Sequence, residues 1–344
     1  MSVNESLAQT SNYLVYGAMA AYALAFIAFA VCFAAAKGRE LPAAAATPDG
    51  SDAVLAGSVA TLTRSKSGAV TQQTASRAAE GDGSLPPLPP GRRAGNIGMS
   101  LTWLGALLLA AGVLARGLAV MRPPWGNMYE FSTASALAIS VAFLVFSLRR
   151  DLRWLGVFVI APVLLTLGLA VTVLYTAAEQ LVPALNSYWL YIHVTCAIVS
   201  GGALCVGAAV TGLFLVADTS ERRHRAGRSY WLEPLAVRLP EALKLDVMAY
   251  RVNAFVFPLW TFTVVAGAIW AENAWGSYWS WDPKETWAFI TWLAYAAYLH
   301  ARATAGWKGR KAAVLGLVAF ACFLFNYYGV NIFFSGLHSY AGIK

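Results

Sequence analysis

Residues 190–228 read LYIHVTCAIVSGGALCVGAAVTGLFLVADTSERRHRAGR. Residues 190–216 contain no Asp, Glu, Lys or Arg, and Arg222, Arg223, Arg225 and Arg228 follow almost at once. A bilayer-spanning helix needs about 20 predominantly apolar residues. Basic residues gather on the cytoplasmic side of such helices. The stretch therefore reads as a membrane helix that ends on the cytoplasmic face.

The same kind of run recurs along the chain. Residues 13–36, 99–120, 130–148, 154–175, 190–216, 252–271, 285–303 and 312–334 predict an all-α polytopic membrane protein with about eight transmembrane helices. Composition agrees: 58% of residues are hydrophobic, 12% are charged, and mean hydropathy is +0.57. Soluble domains carry about 25% charged residues. The N-terminal dozen residues lack a basic stretch, so 13–36 reads as a helix that stays rather than a cleaved signal. Between it and the second run, residues 37–98 are rich in Ala, Gly, Ser, Thr and Pro, including SLPPLPPGRR. Such a segment cannot bury a core and reads as a disordered cytoplasmic linker. The chain thus divides into a first helix (1–36), the linker (37–98) and a seven-helix domain (99–344).

A net charge of +8 on a soluble protein would suggest nucleic acid. Here the distribution explains it, and no nucleic-acid partner is expected. If the linker is inside and the runs alternate, all but four of the 25 Lys and Arg fall on inner segments. The exceptions are Arg116, Arg122, Lys284 and Lys344. The bias predicts both termini outside. The inner segment 217–251 also holds Leu235, Val237, Leu239, Leu243 and Leu245, a mixed pattern that suggests an interfacial helix.

Two outer loops carry helix-start signals. In Asp282-Pro283-Lys284-Glu285 the aspartate suits the N-cap, proline the first helical position, and Glu285 a capping box. Asn127 and Glu130 repeat the spacing before the third run. Capping alone is a sufficient reason for all four polar residues.

The loop 270–287 contains WGSYWSWDPKETW (275–287). Trp and Tyr collect at membrane interfaces without further role. A generic belt spreads them over many helix ends, whereas Trp275, Tyr278, Trp279, Trp281 and Trp287 sit together here. That concentration favours a platform for a large, planar, apolar ligand.

The histidines extend this reading. His193 and His338 fall at the outer ends of the fifth and eighth runs, at the depth of the aromatic loop and on either side of it in sequence. Two imidazoles over a planar macrocycle describe bis-histidine haem ligation. His300, at the inner end of the seventh run, suggests a second position on a transfer route, and His224 lies among surface arginines. Arg116 and Arg122 are candidates for haem propionates because cations are otherwise scarce outside. No zinc spacing, phosphate loop or serine-nucleophile motif is present. Cys32, Cys196, Cys205 and Cys322 lie in apolar runs without a CxxC, and read as buried small hydrophobes.

WGSYWSWDPKETW resembles the tryptophan-rich "WWD" signature of haem-handling membrane proteins. With WLYIHV, YLHA, GLHSYAG and PPWGNMYEF it resembles the CcsA (ResC) branch, labelled CcsB in some bacteria, of the System II cytochrome c synthase. The likeness covers about residues 99–344. It implies cytochrome c-type biogenesis in the cell membrane, with the WWD loop extracytoplasmic. Haem b would arrive from the cytoplasmic side, rest on Trp275, Tyr278, Trp279, Trp281, Asp282 and Trp287, and be ligated by His193 and His338. A holocytochrome c synthase (haem lyase) complex would then join it to the CxxCH of apocytochrome c by thioether bonds. His300 would belong to an entry site completed by a ResB-type membrane subunit, and thiol-reducing proteins are implied as further partners. Haem b is both substrate and bound ligand in this reading. Other classes compatible with the residues are a haem exporter or chaperone like the related CcmC branch, a bis-histidine electron-transfer protein, and a small-solute transporter.

Overall fold

The computed structural model describes residues 3–41, 90–181, 187–304 and 306–338. Most of the linker and the residues after His338 lie outside that set. The described chain is helical throughout, with no strand among the described residues: α1 (Glu5–Ala35), α2 (Arg92–Val120), α3 (Met128–Ser147), α4 (Gly156–Thr172), α5 (Trp189–Arg225), the short α6 (Glu233–Ala236), α7 (Ala242–Trp275), α8 (Pro283–Ala303), α9 (Arg310–Leu324) and the short α10 (Val330–Phe333). A π-helical turn, Phe325–Gly329, joins the last two.

Helices α1 and α2 pack along a row of glycines spaced seven apart. A Cβ on Gly98 would stand 2.8 Å from the Phe29 ring, and one on Gly105 would stand 2.9 Å from the Tyr22 ring. Small residues let membrane helices approach closely where no hydrophobic drive between them exists. Phe29 continues into α3, meeting Phe143 edge-on at 5.9 Å between centroids. Cys32, Cys196, Cys205 and Cys322 are half-buried free thiols rather than fully buried ones.

Seven helices, counting α9 to α10 as one, are long and apolar enough to cross a membrane among the described residues. The eighth predicted span, α8, falls outside that group because its Trp and Tyr residues, His300 and Arg302 dilute its apolarity. Its ends nevertheless fix its path. Its N-cap Asp282 bonds His338, whose ring lies on Trp275 at the end of α7. In its last turn Arg302 pairs with Asp246 in the opening turns of α7, at 2.8 and 3.0 Å. So α8 runs back along α7 from one end of the bundle towards the other. The chain is a multi-pass membrane protein with eight long helices among the described residues.

Boundaries differ from the apolar runs where helix continues into polar sequence. α5 continues through the basic cluster to Arg225, and α7 begins at Ala242. The expected interfacial helix shrinks to the four residues of α6, with Leu243 and Leu245 already in α7. α2 begins at Arg92, inside the segment read as linker. The linker's first residues are also tied down: Arg39 pairs with Glu221 at 2.6 Å and donates to the Leu239 carbonyl at 3.1 Å.

Candidate functional site

At the end of the bundle where α7 finishes and α3, α5 and α8 begin, the helices part around a cavity. It holds about 1300 Å³ of free space, its mouth included. His193 and His338 both line it.

His193 lies in the second turn of α5. Its Nδ1 is 2.9 Å from the Thr263 carbonyl oxygen of α7. A carbonyl can only accept, so Nδ1 carries the proton and donates. The Nε2 lone pair is then left for a ligand. Gly267 makes room for the ring, since a Cβ there would be 2.8 Å from its Cε1. The Trp270 ring lies 5.7 Å away, centroid to centroid.

His338 is fixed by the same logic with a stronger acceptor. Its Nδ1 is 2.8 Å from Asp282 Oδ2, and its ring meets Trp275 edge-on at 5.0 Å. Asp282 Oδ1 accepts from the Leu337 N–H at 2.6 Å, and Oδ2 also accepts from the Lys284 N–H at 3.0 Å. One carboxylate therefore caps α8, holds the chain segment bearing His338 and orients its imidazole. Burial pushes the Asp282 carboxyl up, but the His338 hydrogen bond and charge, with the Leu337 and Lys284 N–H groups, hold it below the usual carboxylate value. Partners of this kind set the tautomer of a metal-binding histidine and raise its basicity.

The capping box closes as the sequence predicts: Glu285 Oε2 accepts from the Asp282 N–H at 3.2 Å and the Ser280 N–H at 2.8 Å. The preceding Trp281 has φ +60°, a left-handed backbone costly for a bulky side chain. Its carbonyl is held by Thr286 Oγ1 at 3.1 Å. That turn swings Asp282 inward and Trp281 out.

The aromatic residues accordingly divide. Trp275 and Trp279 line the cavity. Tyr278 and Trp281 are exposed, at 60% and 67%, and Trp287 lies 4.2 Å from the Phe325 ring, outside the lining. The wall is not a flat surface from one loop. Trp125 from the α2–α3 loop and Trp260 and Trp270 from α7 complete it. The indole Nε1–H groups of Trp260, Trp270 and Trp279 are buried without a partner among the described residues, leaving donors beside a mainly apolar cavity. Gly267, Trp260 and Asn326 escaped the sequence reading, because nothing in a long apolar run distinguishes a cavity wall from a lipid face.

Arg116 and Arg122 do not line the cavity. Both are committed to Glu130, at 3.1 and 2.8 Å, and to the Thr176 and Glu179 carbonyls. Asn127 caps α3 by accepting from the Glu130 N–H at 2.9 Å, but Glu130 reaches Gly126 N–H and the arginines instead of closing a box. Their partner is thus an internal carboxylate. His300 is exposed near the far end of α8, away from the cavity, and His224 lies 3.9 Å from Glu233 on the surface.

Residues 125–338 match the family model described as cytochrome C assembly protein, a span that begins and ends on cavity residues. The chain is 38% identical over 287 residues to the cytochrome c biogenesis protein CcsA of Synechococcus elongatus, covering 72% of this chain and 86% of that protein. It is 36% identical over 296 residues to the CcsA of Microcystis aeruginosa, covering 74% and 88%. The fold resembles a solved structure, the cytochrome c heme lyase CcmF, with a TM-score of 0.58 at 16% identity over 95% of this chain and 47% of that one. From the family match and the extent of these identities, the chain belongs to the cytochrome c assembly protein family.

Proposed function

We propose that this protein, a component of cytochrome c biogenesis, holds haem b as a substrate between His193 and His338 and presents it for attachment to apocytochrome c. The observation that carries the reading is the pair of imidazoles on one tryptophan-lined cavity, each with Nδ1 committed to an internal acceptor. With Nδ1 so engaged, Nε2 is the nitrogen through which either ring would meet an iron. Apolar walls and spare indole donors suit a large macrocycle with polar edges.

The chemistry is thioether formation. Each CxxCH thiol adds across a haem vinyl group, sulfur bonding to the inner vinyl carbon and the hydrogen ending on the outer one, so no net oxidation occurs. This chain's residues supply positioning, a contribution of at most about 7–11 kcal/mol. The end of the bundle rich in Arg and Lys is the cytoplasmic one in this reading, which leaves the cavity extracytoplasmic in the cell membrane. His300 at that basic end serves haem entry together with a ResB-type subunit, and thiol-reducing proteins keep the CxxCH cysteines reduced.

The test is co-expression with a CxxCH reporter, with and without a ResB-type subunit, reading covalent haem on the reporter. Covalent haem should require both chains. Haem bound by the chain but never attached in the presence of the partner would instead support an exporter or chaperone.

The Asp282 geometry adds a finer expectation. Asp282→Asn should lower haem retention roughly 10- to 100-fold, the usual loss for an outer-shell partner, while keeping a capping oxygen. Asp282→Ala should lose the cap as well, adding about 1 kcal/mol of instability. Because the carboxyl is depressed, its contribution is complete above the ordinary carboxylate range and fades as pH falls through the lower folded value. Haem retention in the wild type should therefore be insensitive to Asp282 across neutral and mildly acidic pH. Retention titrated by absorbance checks both points, and an Asp282→Asn chain with wild-type retention would remove the positioning role.

A further inference from the structure

With Arg116 and Arg122 committed to Glu130, the cavity needs another cation if its ligand is an acid. Lys284 is the single Lys or Arg among the described lining residues. Its Nζ donates to the Asn326 backbone carbonyl at 2.8 Å and stands 5.9 Å from the Tyr327 ring centroid. No carboxylate lies within 4.0 Å of it among the described residues. The nearby acids are engaged: Asp282 holds His338 and Leu337, and Glu285 holds Ser280 and the Asp282 N–H.

An ammonium has three donors; the half-buried Lys284 has the Asn326 carbonyl as its hydrogen-bond acceptor among the described residues, and the Asp282 charge it feels is already shared with His338. The Asn326 carbonyl that meets Lys284 belongs to the π-helical turn Phe325–Gly329. Such turns interrupt regular helix hydrogen bonding and recur at functional sites. A cation with donors to spare thus stands at one edge of a mainly apolar cavity.

We propose that Lys284 is the carboxylate-recognising group of the cavity, pairing with an acidic edge of the planar ligand while His193 and His338 address its centre. The inference rests on the haem reading above and assigns the propionate contact within it. Lys284 selects an acid-bearing macrocycle over its neutral ester. A protonated Lys284 paired with a carboxylate forms a charge-assisted bond, about twice as strong as a neutral one.

The experiment uses the full chain, with its partner subunit, titrated with haem and with haem dimethyl ester. The wild type should bind the diacid roughly 10- to 100-fold more tightly than the diester. Lys284→Met should lose that preference by weakening diacid binding and leaving diester binding unchanged, and Lys284→Arg should restore it. Equal binding of both forms by the wild type overturns the inference without recourse to any variant, and so does a Lys284→Met chain that keeps the preference. The paired-histidine variant provides the separate check on the parent reading: it should weaken diacid and diester alike. If it leaves both unchanged the haem site itself is lost, whereas failure confined to Lys284 leaves that site standing.

Discussion

Replacing His193 and His338 together by glycine is expected to empty the cavity of haem and abolish the bis-imidazole absorption spectrum. Each single glycine variant should retain haem with a five-coordinate spectrum that added imidazole converts back. The argument is local. Both rings are oriented through Nδ1, so Nε2 is the nitrogen each would turn to the iron. Removing one leaves the other in place with its tryptophan neighbour. Removing both leaves apolar walls and the Lys284 contact, which do not bind iron. The fold should survive, since glycine at position 193 inside α5 costs about 1 kcal/mol and His338 lies outside the helices. Absorbance of the purified complex and covalent haem on a CxxCH reporter are the measurements. A double variant with a complete bis-histidine spectrum and normal reporter maturation would falsify the assignment.

The sequence made the helical membrane architecture legible because a run such as 190–216 has one physical interpretation: a segment that long without charge cannot remain in water. The caps were equally readable, since Asp282 and Asn127 announce helix starts through chemistry confined to four residues. The cavity was half readable. His193 and His338 stand out as ionisable groups in apolar surroundings, but their partners lie far off in sequence. Thr263 contributes only a backbone carbonyl, Gly267 only the absence of a side chain. The direction of Trp281 and Tyr278 was not readable, because composition does not reveal it and a single left-handed residue turns Trp281 outward. The pairing of Arg116 and Arg122 was not readable for a related reason: scarcity of outer cations draws attention to them, but nothing in sequence shows that both reach the nearby Glu130.

That carboxylate leads to the largest stability effect expected in the protein. Glu130 is fully buried, Arg116 is 2% exposed and Arg122 is 10% exposed. Glu130 Oε1 accepts from Arg116 Nε at 3.1 Å, and Oε2 accepts from Arg122 Nη1 at 2.8 Å and the Gly126 N–H at 2.9 Å. Glu130→Ala leaves two guanidinium groups facing each other without an anion, and breaking a buried pair from one side costs about 3–5 kcal/mol. The apparent Tm of the detergent-solubilised protein should fall sharply, with Glu130→Gln recovering part of the loss. An all-apolar replacement separates pairing from clamping. Where a buried triad serves only itself, hydrophobic residues of similar volume are neutral or stabilising. Here the arginines also reach out: Arg116 Nη2 holds the Thr176 carbonyl at 2.6 Å, and Arg122 Nη2 holds the Glu179 carbonyl at 2.8 Å. These bonds pin the segment leading to Leu181, and Gly126 and Leu181 both line the cavity. Substituting Met at positions 116, 122 and 130 together should therefore recover much of the thermal stability lost in Glu130→Ala without recovering haem retention. It should also expose residues 176–180 to proteinase K. A triple variant with wild-type haem retention and an uncut segment would reduce the triad to a packing element. Haem loss alongside a recovered Tm would identify it as the brace that holds this wall of the cavity.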